Sequence, residues 1–105
     1  MSESQPKVSF NEDARCYEVS LPGSEQTAFL AVRRTPDSWT LRHTEVPSEF
    51  SGQGVGSALV RTALKDARAA GVNVKPVCPF TAAYIKRHQE EVDLVHPDYL
   101  STVER

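Results

Sequence analysis

The chain has 105 residues, of which 39% are hydrophobic and 25% are charged, a composition typical of a globular domain with its own core. Twelve basic and fourteen acidic residues give a net charge of −2, which argues against nucleic acids and membrane surfaces as partners. We therefore predict a single domain over residues 1–105, with residues 1–6 as a flexible tail.

The apolar and cysteine patterns favour a cytoplasmic protein without a metal. No apolar run reaches the roughly 20 residues that cross a bilayer, and the first residues lack the basic and apolar segments of a signal peptide. Cys16 and Cys78 stand at neither a CxxC nor a metal-ligand spacing. We expect both thiols to be reduced, and we expect a monomer.

The first half of the chain predicts an antiparallel meander. Short apolar runs are separated by turn signals such as Pro22-Gly23-Ser24 and Thr35-Pro36-Asp37-Ser38. The predicted strands are Lys7–Phe10, Arg15–Leu21, Thr27–Arg34 and Trp39–Val46. Because strands joined by hairpins pair with their neighbours in the chain, three or four of them form one sheet.

The period of the pattern then changes to that of a helix. Apolar residues recur every three or four positions from Gly54 to Ala70, and Gly71 is the expected left-handed stop. Val72–Val77 predicts a further strand, parallel to Trp39–Val46 because the helix is a crossover. Pro79 suits the first position of a short helix, Phe80–His88, with Cys78 at its cap. The tail from Val92 to Arg105 is weakly patterned and is expected to add either a last strand or an irregular cover.

The loop before the long helix is rich in glycine and reads Gly52-Gln53-Gly54-Val55-Gly56-Ser57-Ala58-Leu59. Unobstructed backbone amides at a helix N-terminus form a ready site for a phosphate or pyrophosphate. The spacing of the glycines does not fit the dinucleotide-binding fingerprint. A P-loop is excluded because the chain has no Gly-Lys-Ser/Thr triplet. A glycine-rich turn without a ligand is the alternative interpretation.

The loop matches the pattern Gln/Arg-x-x-Gly-x-Gly/Ala, whose specified positions are occupied by Gln53, Gly56 and Ala58. This resembles the coenzyme A pyrophosphate loop of the GNAT superfamily of acyl-CoA-dependent N-acetyltransferases. The order of elements is similar too, and within the superfamily the chain looks most like a minimal subgroup with two further motifs. These are His43-Thr44-Glu45-Val46-Pro47 and Cys78-Pro79-Phe80. The resemblance implies an α/β (α+β) fold with a mixed, mainly antiparallel sheet, one long helix and one short helix.

The resemblance also implies where acetyl-CoA, as co-substrate, would bind. In the family the sheet splays after the strand equivalent to Trp39–Val46, and the pantetheine arm pairs with the exposed strand edge. That edge lies near Glu45 and Val46 in this chain. The pyrophosphate would be held by the amides of Gln53, Gly54, Val55, Gly56, Ser57 and Ala58.

Three residues are candidates for catalysis. Cys78 precedes a helix whose positive end lowers a thiol pKa, although buried free cysteines are usually inert. By strand alternation His43 shares a face with Trp39, Leu41 and Glu45, and it could take a proton from an amine or activate Cys78. Tyr84 is near the position where many GNAT enzymes protonate the departing thiolate, but its spacing also fits a core aromatic.

One departure from the family bears on the acceptor. Typical GNAT enzymes insert two helices between their first two strands, where this chain has only Asn11-Glu12-Asp13-Ala14. The acceptor side is therefore expected to be shallow or open. Arg33-Arg34 and Lys86-Arg87 are predicted to be solvated, with the 3′-phosphate of coenzyme A as the alternative partner of either pair.

These observations favour an acetyl-CoA-dependent N-acetyltransferase acting on an amine that the sequence does not identify. The amine would attack the thioester directly or receive the acetyl group from Cys78. A non-catalytic acyl-CoA-binding or regulatory module is the alternative, and a ligand-free interaction domain is a third. The expected partners are thus an acyl-CoA and an amine, whether small molecule or protein.

Overall fold

A computed structural model of the protein describes residues 7–20, 26–48 and 54–104. They build a five-stranded sheet in which the strands lie in chain order. Its strands are β1 (Ser9–Asn11), β2 (Cys16–Ser20), β3 (Thr27–Arg34), β4 (Ser38–Glu45) and β5 (Asn73–Pro76). The first four pair antiparallel and β5 pairs parallel to β4, which confirms the predicted mixed, mainly antiparallel sheet.

Helix α1 (Val55–Ala70) covers one face of the sheet. Its apolar stripe is fully buried at Leu59, Ala63 and Leu64, against strand residues such as Leu30 and Leu41. The helix ends at Gly71, whose φ of 75° is readily adopted only by a residue without a Cβ. The predicted helix and its stop are confirmed because the period of 3.6 residues and the glycine agree.

The short helix α2 (Pro79–Arg87) begins as predicted, with Pro79 in its first turn and Cys78 at the cap. The weakly patterned tail forms two 3₁₀ helices, Gln89–Leu94 and Pro97–Thr102, rather than a strand. A bridge between Val74 and Val95 is its link to the sheet, and both residues are buried in the core.

Strand β4 contains a bulge that matters for the site. Leu41 pairs with Val32 and His43 with Ala31, so Arg42 is an extra residue without a partner on β3. A bulge reverses the alternation of side chains beyond it. Trp39, Leu41 and Thr44 consequently share the face covered by α1, whereas His43 and Glu45 lie on the opposite face, called here the open face.

The predicted alternation, which placed His43 and Glu45 on the face of Trp39 and Leu41, is therefore wrong beyond Leu41. The sequence carries no local signal for the extra residue, because Arg42 is compatible with an uninterrupted strand. The consequence is that Thr44, rather than His43, is directed toward the core side of the sheet.

Arg34 has a structural role at the far end of β3. Its guanidinium donates to the Tyr17 hydroxyl at 2.6 Å, and that hydroxyl donates to Asp66 of α1 at 2.7 Å. The same group lies 3.7 Å from the ring centroid of Phe10 and 4.2 Å from that of Trp39. Burial, together with the bond to Asp66, raises the pKa of Tyr17, so the hydroxyl stays protonated and ties the sheet to α1.

This placement argues against contact between Arg34 and the 3′-phosphate of a cofactor held near α1. Arg34 pairs with Trp39 at the start of β4, whereas the glycine loop follows the end of that strand. Glu45 follows Trp39 by six positions along the strand, a distance of about 20 Å. Among the described residues, no helix is long and apolar enough to cross a membrane.

Candidate active site

The sheet opens between β4 and β5 at the site. Pairing between these strands covers Ser38 to Leu41 and ends at the Leu41–Pro76 pair. The Cys78 amide then donates to the Leu41 carbonyl at 3.0 Å, after which the chain leaves the sheet as α2. From Arg42 to Glu45, β4 has no strand on this edge within the ranges described, so its backbone groups are available to an extended ligand.

Cys78 lies at the mouth of this gap. Its Sγ is 3.5 Å from the Thr44 hydroxyl, and the residue is 5% exposed. Two hydrogen bonds to the Cys78 carbonyl fix the backbone, from the Thr81 hydroxyl at 2.7 Å and from the Ala82 amide at 3.0 Å. The sulfur is thus held at the N-terminus of α2 and beside the free edge of β4.

The surroundings of the sulfur favour the thiolate. Burial raises the pKa of the Cys78 thiol, but the Thr44 hydroxyl and the first-turn amides of α2 outweigh burial and lower it below the ordinary cysteine value. The neutral thiol forms no capping hydrogen bond with α2, so those amides remain ready for a charged sulfur. Cys16 differs, because burial and the nearby Glu18 raise its pKa.

We expect the two thiols to titrate in a fixed order, with Cys78 ionising at lower pH than Cys16. Ultraviolet thiolate absorbance of the variants Cys16→Ser and Cys78→Ser, measured against pH, reports each thiol separately. Because its folded-state pKa is lowered, ionisation of Cys78 stabilises the fold above the unfolded-state pKa, and this stabilisation is lost as pH falls through the folded value. A higher midpoint for Cys78 than for Cys16 would contradict this assignment.

The N-terminus of α1 presents backbone amides that have no acceptor inside the helix. The first helical hydrogen bond runs from the Ala58 amide to the Gly54 carbonyl at 3.0 Å. Helix geometry therefore leaves the amides of Val55, Gly56 and Ser57 without an internal acceptor. The Ala58 amide already donates within the helix, so fewer amides are available to the pyrophosphate than the sequence predicts. Gln53, also predicted to bind it, lies outside the described residues.

Gly54 has a φ of 71°, and a Cβ built on it would meet nothing within 4 Å. Glycine is therefore required at position 54 by the left-handed backbone conformation that leads into the helix, and not by a close neighbour. At Gly56 the reason is a neighbour, because a Cβ there would lie 2.6 Å from Cζ of Phe80. The first turns of α1 and α2 therefore meet, so the free amides and the Cys78 thiol belong to one region.

His43 and Cys78 are not brought together. The histidine is on the open face, where its Nε2 is 3.0 Å from Oε2 of Glu45 and its ring lies edge-on to Phe29. Its side chain is 59% exposed. No hydrogen bond joins His43 to Cys78, and the residue that contacts the sulfur is Thr44, which stands between His43 and Glu45 in the chain.

Tyr84 belongs to the core. It is 3% exposed, and its ring stacks on His88 at 4.0 Å between centroids with 13° between the planes. This agrees with the core-aromatic alternative raised by its spacing. Its role as a proton donor stays a prediction.

Thr44 and Phe80 are the residues that sequence reasoning overlooked. Both occur inside the two motifs quoted above, which was the available signal, but strand alternation without the bulge directs Thr44 away from the sulfur. Phe80 is 39% exposed and Val77 is 51% exposed, so two apolar side chains flank the thiol at the surface.

Within the described part of the chain, no cluster of His, Cys, Asp and Glu could hold a metal ion.

The open edge of β4, the free amides of α1 and the thiol at α2 are the arrangement expected of an enzyme that handles an acyl thioester. A comparison with protein families agrees with this, since the model of the GCN5-related N-acetyl-transferase family matches residues 16–94. The chain belongs to this family, whose members transfer acetyl groups and generally use acetyl-CoA. A comparison with curated proteins found no match.

Proposed function

We propose that this protein is an acetyl-CoA-dependent N-acetyltransferase of the minimal subgroup suggested by its motifs, with Cys78 as the group that receives the acetyl moiety. The observation that carries the proposal is the position of the Cys78 thiol, which has a lowered pKa beside the unpaired edge of β4. Family membership alone would be equally compatible with direct attack by the amine.

Binding would divide between two elements. The free amides of Val55, Gly56 and Ser57 favour a pyrophosphate, because they present unshared hydrogens at the positive end of α1. The backbone between Arg42 and Val46 suits the amide groups of a pantetheine arm, which would add to the sheet as an extended strand does. When bound, acetyl-CoA supplies an activated acyl carbon at the thiol.

The chemistry at Cys78 has two steps. Its thiolate attacks the thioester carbonyl carbon, a new carbon–sulfur bond forms at Sγ, and the bond to the coenzyme A sulfur breaks so that coenzyme A leaves as a thiolate. The acceptor amine then attacks the acetyl carbon on Sγ, forms the amide and restores the Cys78 thiolate. The proton that the amine loses needs an acceptor.

His43 is our candidate for that proton acceptor. It lies on the open face one residue from Thr44, and the Glu45 carboxylate 3.0 Å away can orient its ring. An amine arriving from the open face would pass the imidazole before it reaches the gap. Direct attack on the thioester, with His43 as the base, is the alternative route.

A single-turnover experiment tests the proposal. Protein mixed with acetyl-CoA and a panel of amines is quenched at short times and digested for mass spectrometry. We expect coenzyme A release and a transient acetyl group on the peptide that contains Cys78, decaying as the amide forms. Amide formation without that mark would instead support direct transfer.

A non-catalytic acyl-CoA-binding module remains the second candidate, because the structure does not join His43 to Cys78. It predicts tight binding of acetyl-CoA in calorimetry but no release of coenzyme A with any amine. The Cys78→Ser variant is the control for the calorimetry, since it removes the thiol while keeping a side chain of similar size. A binding module should bind acetyl-CoA as tightly with serine at this position as with cysteine.

A further inference from the structure

Two neighbouring cavities form a basic groove that reaches the open face of the sheet at Ala31 and Arg33. One has a volume of about 430 Å³ and extends to Phe10 and Pro36, and the other has about 350 Å³ and extends to Arg42. Both are lined by Arg15, Val32 and Arg33, so the two cavities are neighbours. We call this feature the arginine groove.

Three arginines of the groove have no counterion among the residues that the structure describes. Arg15, Arg33 and Arg42 are exposed, and none of their guanidinium groups forms a hydrogen bond or ion pair with a residue of the described ranges. Arg34, at one end, is already engaged by Tyr17. Glu12 is the acidic residue among those lining the cavities, so the groove has a surplus of positive charge within a protein of net charge −2.

The backbone directs two of these arginines unusually. Arg15 has a φ of 57°, and among the described residues it is the one non-glycine with a positive φ. That conformation is strained for an arginine, and it ends a turn whose shape asparagine or glycine would satisfy without strain. Arg42 is the extra residue of the bulge in β4, which is a common device for redirecting a side chain.

We infer that the arginine groove binds an acidic segment of a protein and, resting on the proposed function, that this segment belongs to the acetyl acceptor. Guanidinium groups match carboxylates through two parallel hydrogen bonds, and three unpaired ones along one groove suit successive Asp or Glu side chains. Ala31 lines the groove and pairs with His43, so a bound segment would lie next to the imidazole.

A protein segment fits better than a nucleic acid. Single-stranded nucleic acids are held by basic grooves together with aromatic platforms, and the aromatic residue lining this groove, Phe10, is occupied by Arg34 and Tyr17. Glu18 and Glu45 on the same face would repel a continuous polyanion. An acidic peptide can instead place its charges where the arginines are.

Fluorescence anisotropy in the absence of acetyl-CoA tests the groove separately from the chemistry. The probe is a labelled peptide of glutamates around a central lysine, and the same peptide with glutamines is the neutral control. We expect binding of the acidic peptide alone, weakened by added salt. The double variant Arg33→Glu/Arg42→Glu should weaken it about tenfold or more.

The matched control is Arg61→Glu/Lys65→Glu, which changes the net charge equally on the exposed surface of α1. It should leave peptide binding unchanged. Equal weakening by the two double variants, or binding of oligothymidylate as tight as that of the peptide, would overturn the inference. Failure of the peptide to bind would overturn it too, whereas absent coenzyme A release with intact peptide binding would count against the proposed function alone.

The Arg15→Gly variant separates a binding role of Arg15 from a structural one, because stability and peptide affinity should respond differently. Glycine relieves the positive φ, so we expect an unfolding temperature no lower than that of the parent. Peptide affinity should nevertheless fall several-fold, because one guanidinium is lost. A stabilised variant with undiminished affinity would show that Arg15 does not contribute to the groove.

Discussion

Replacement of Cys78 by alanine is expected to lower the turnover number by about 100-fold or more while leaving coenzyme A affinity nearly unchanged. The reason is that the thiolate takes part in bond making, whereas binding depends on the amides of α1 and the edge of β4. Steady-state kinetics with the best amine of the panel, together with calorimetry of coenzyme A, separates the two effects.

Cys16→Ala is the matched control, since Cys16 is also a free, buried cysteine but has a raised pKa and contacts the Ala14 carbonyl. It should keep its turnover. Full turnover of Cys78→Ala would show that neither catalytic route requires the thiol. In that case His43→Gln should still lower the rate if direct attack with the histidine as base operates.

Substitution of Gly56 by valine is expected to weaken coenzyme A binding by about 100-fold or more. Hydrogen bonds to a charged partner contribute about 1.5–3 kcal/mol each, and branched carbons over the first turn of α1 would keep a pyrophosphate away from at least two amides. Calorimetric titration of folded variant with coenzyme A measures the loss directly.

The structure adds a condition to this test. A Cβ at position 56 would lie 2.6 Å from the Phe80 ring, so the ring must move, which it can do because it is 39% exposed. Comparison of Gly56→Val in the parent and in a Phe80→Ala background separates the two causes of lost affinity. Gly56→Val should remain defective in the Phe80→Ala background, because the valine still covers the amides.

Gly71→Ala controls for the general cost of replacing a helix-terminal glycine. Gly71 has a φ of 75° and open space around it, so alanine should cost about 1 kcal/mol of stability and leave coenzyme A binding intact. Unchanged affinity in folded Gly56→Val would mean that the phosphate site has been placed on the wrong segment.

The two candidate functions differ in what Cys78 and His43 do. A binding module needs the amides of α1 and the edge of β4 but has no use for a stabilised thiolate. The lowered pKa of Cys78 therefore favours the enzyme, while the exposed position of His43 leaves the proton transfer to be tested by kinetics. If the protein is the enzyme, the arginine groove bears on its acceptor, because the groove reaches the open face, from which an amine would approach.

Much of the fold could be predicted because local signals agreed with tertiary packing. Strand β3 was predicted with its observed bounds, Thr27–Arg34, since its buried positions alternate without interruption. Helix α1 and its end at Gly71 followed from period and capping. Pro79 likewise marked the start of α2 and placed Cys78 at its cap.

The site was predicted less completely, because its geometry depends on pairings between distant strands. The bulge arises where β4 pairs with β3, and it exchanges the faces of His43 and Thr44. The weakly patterned tail was open between a strand and an irregular cover, and its 3₁₀ helices owe their place to packing of Leu94, Val95 and Val103 in the core.

The amino-acid sequence by itself determined the order of the elements, the amides left free at the start of α1 and the thiol at the start of α2. These depend on residues close together in the chain, where periodicity, glycine and proline act directly on the backbone. Only the tertiary structure decided which side chains meet that thiol and that the arginines of three separate segments share one groove. Strand register and side-chain direction are properties of the assembled sheet, and a single extra residue in one strand is sufficient to change both.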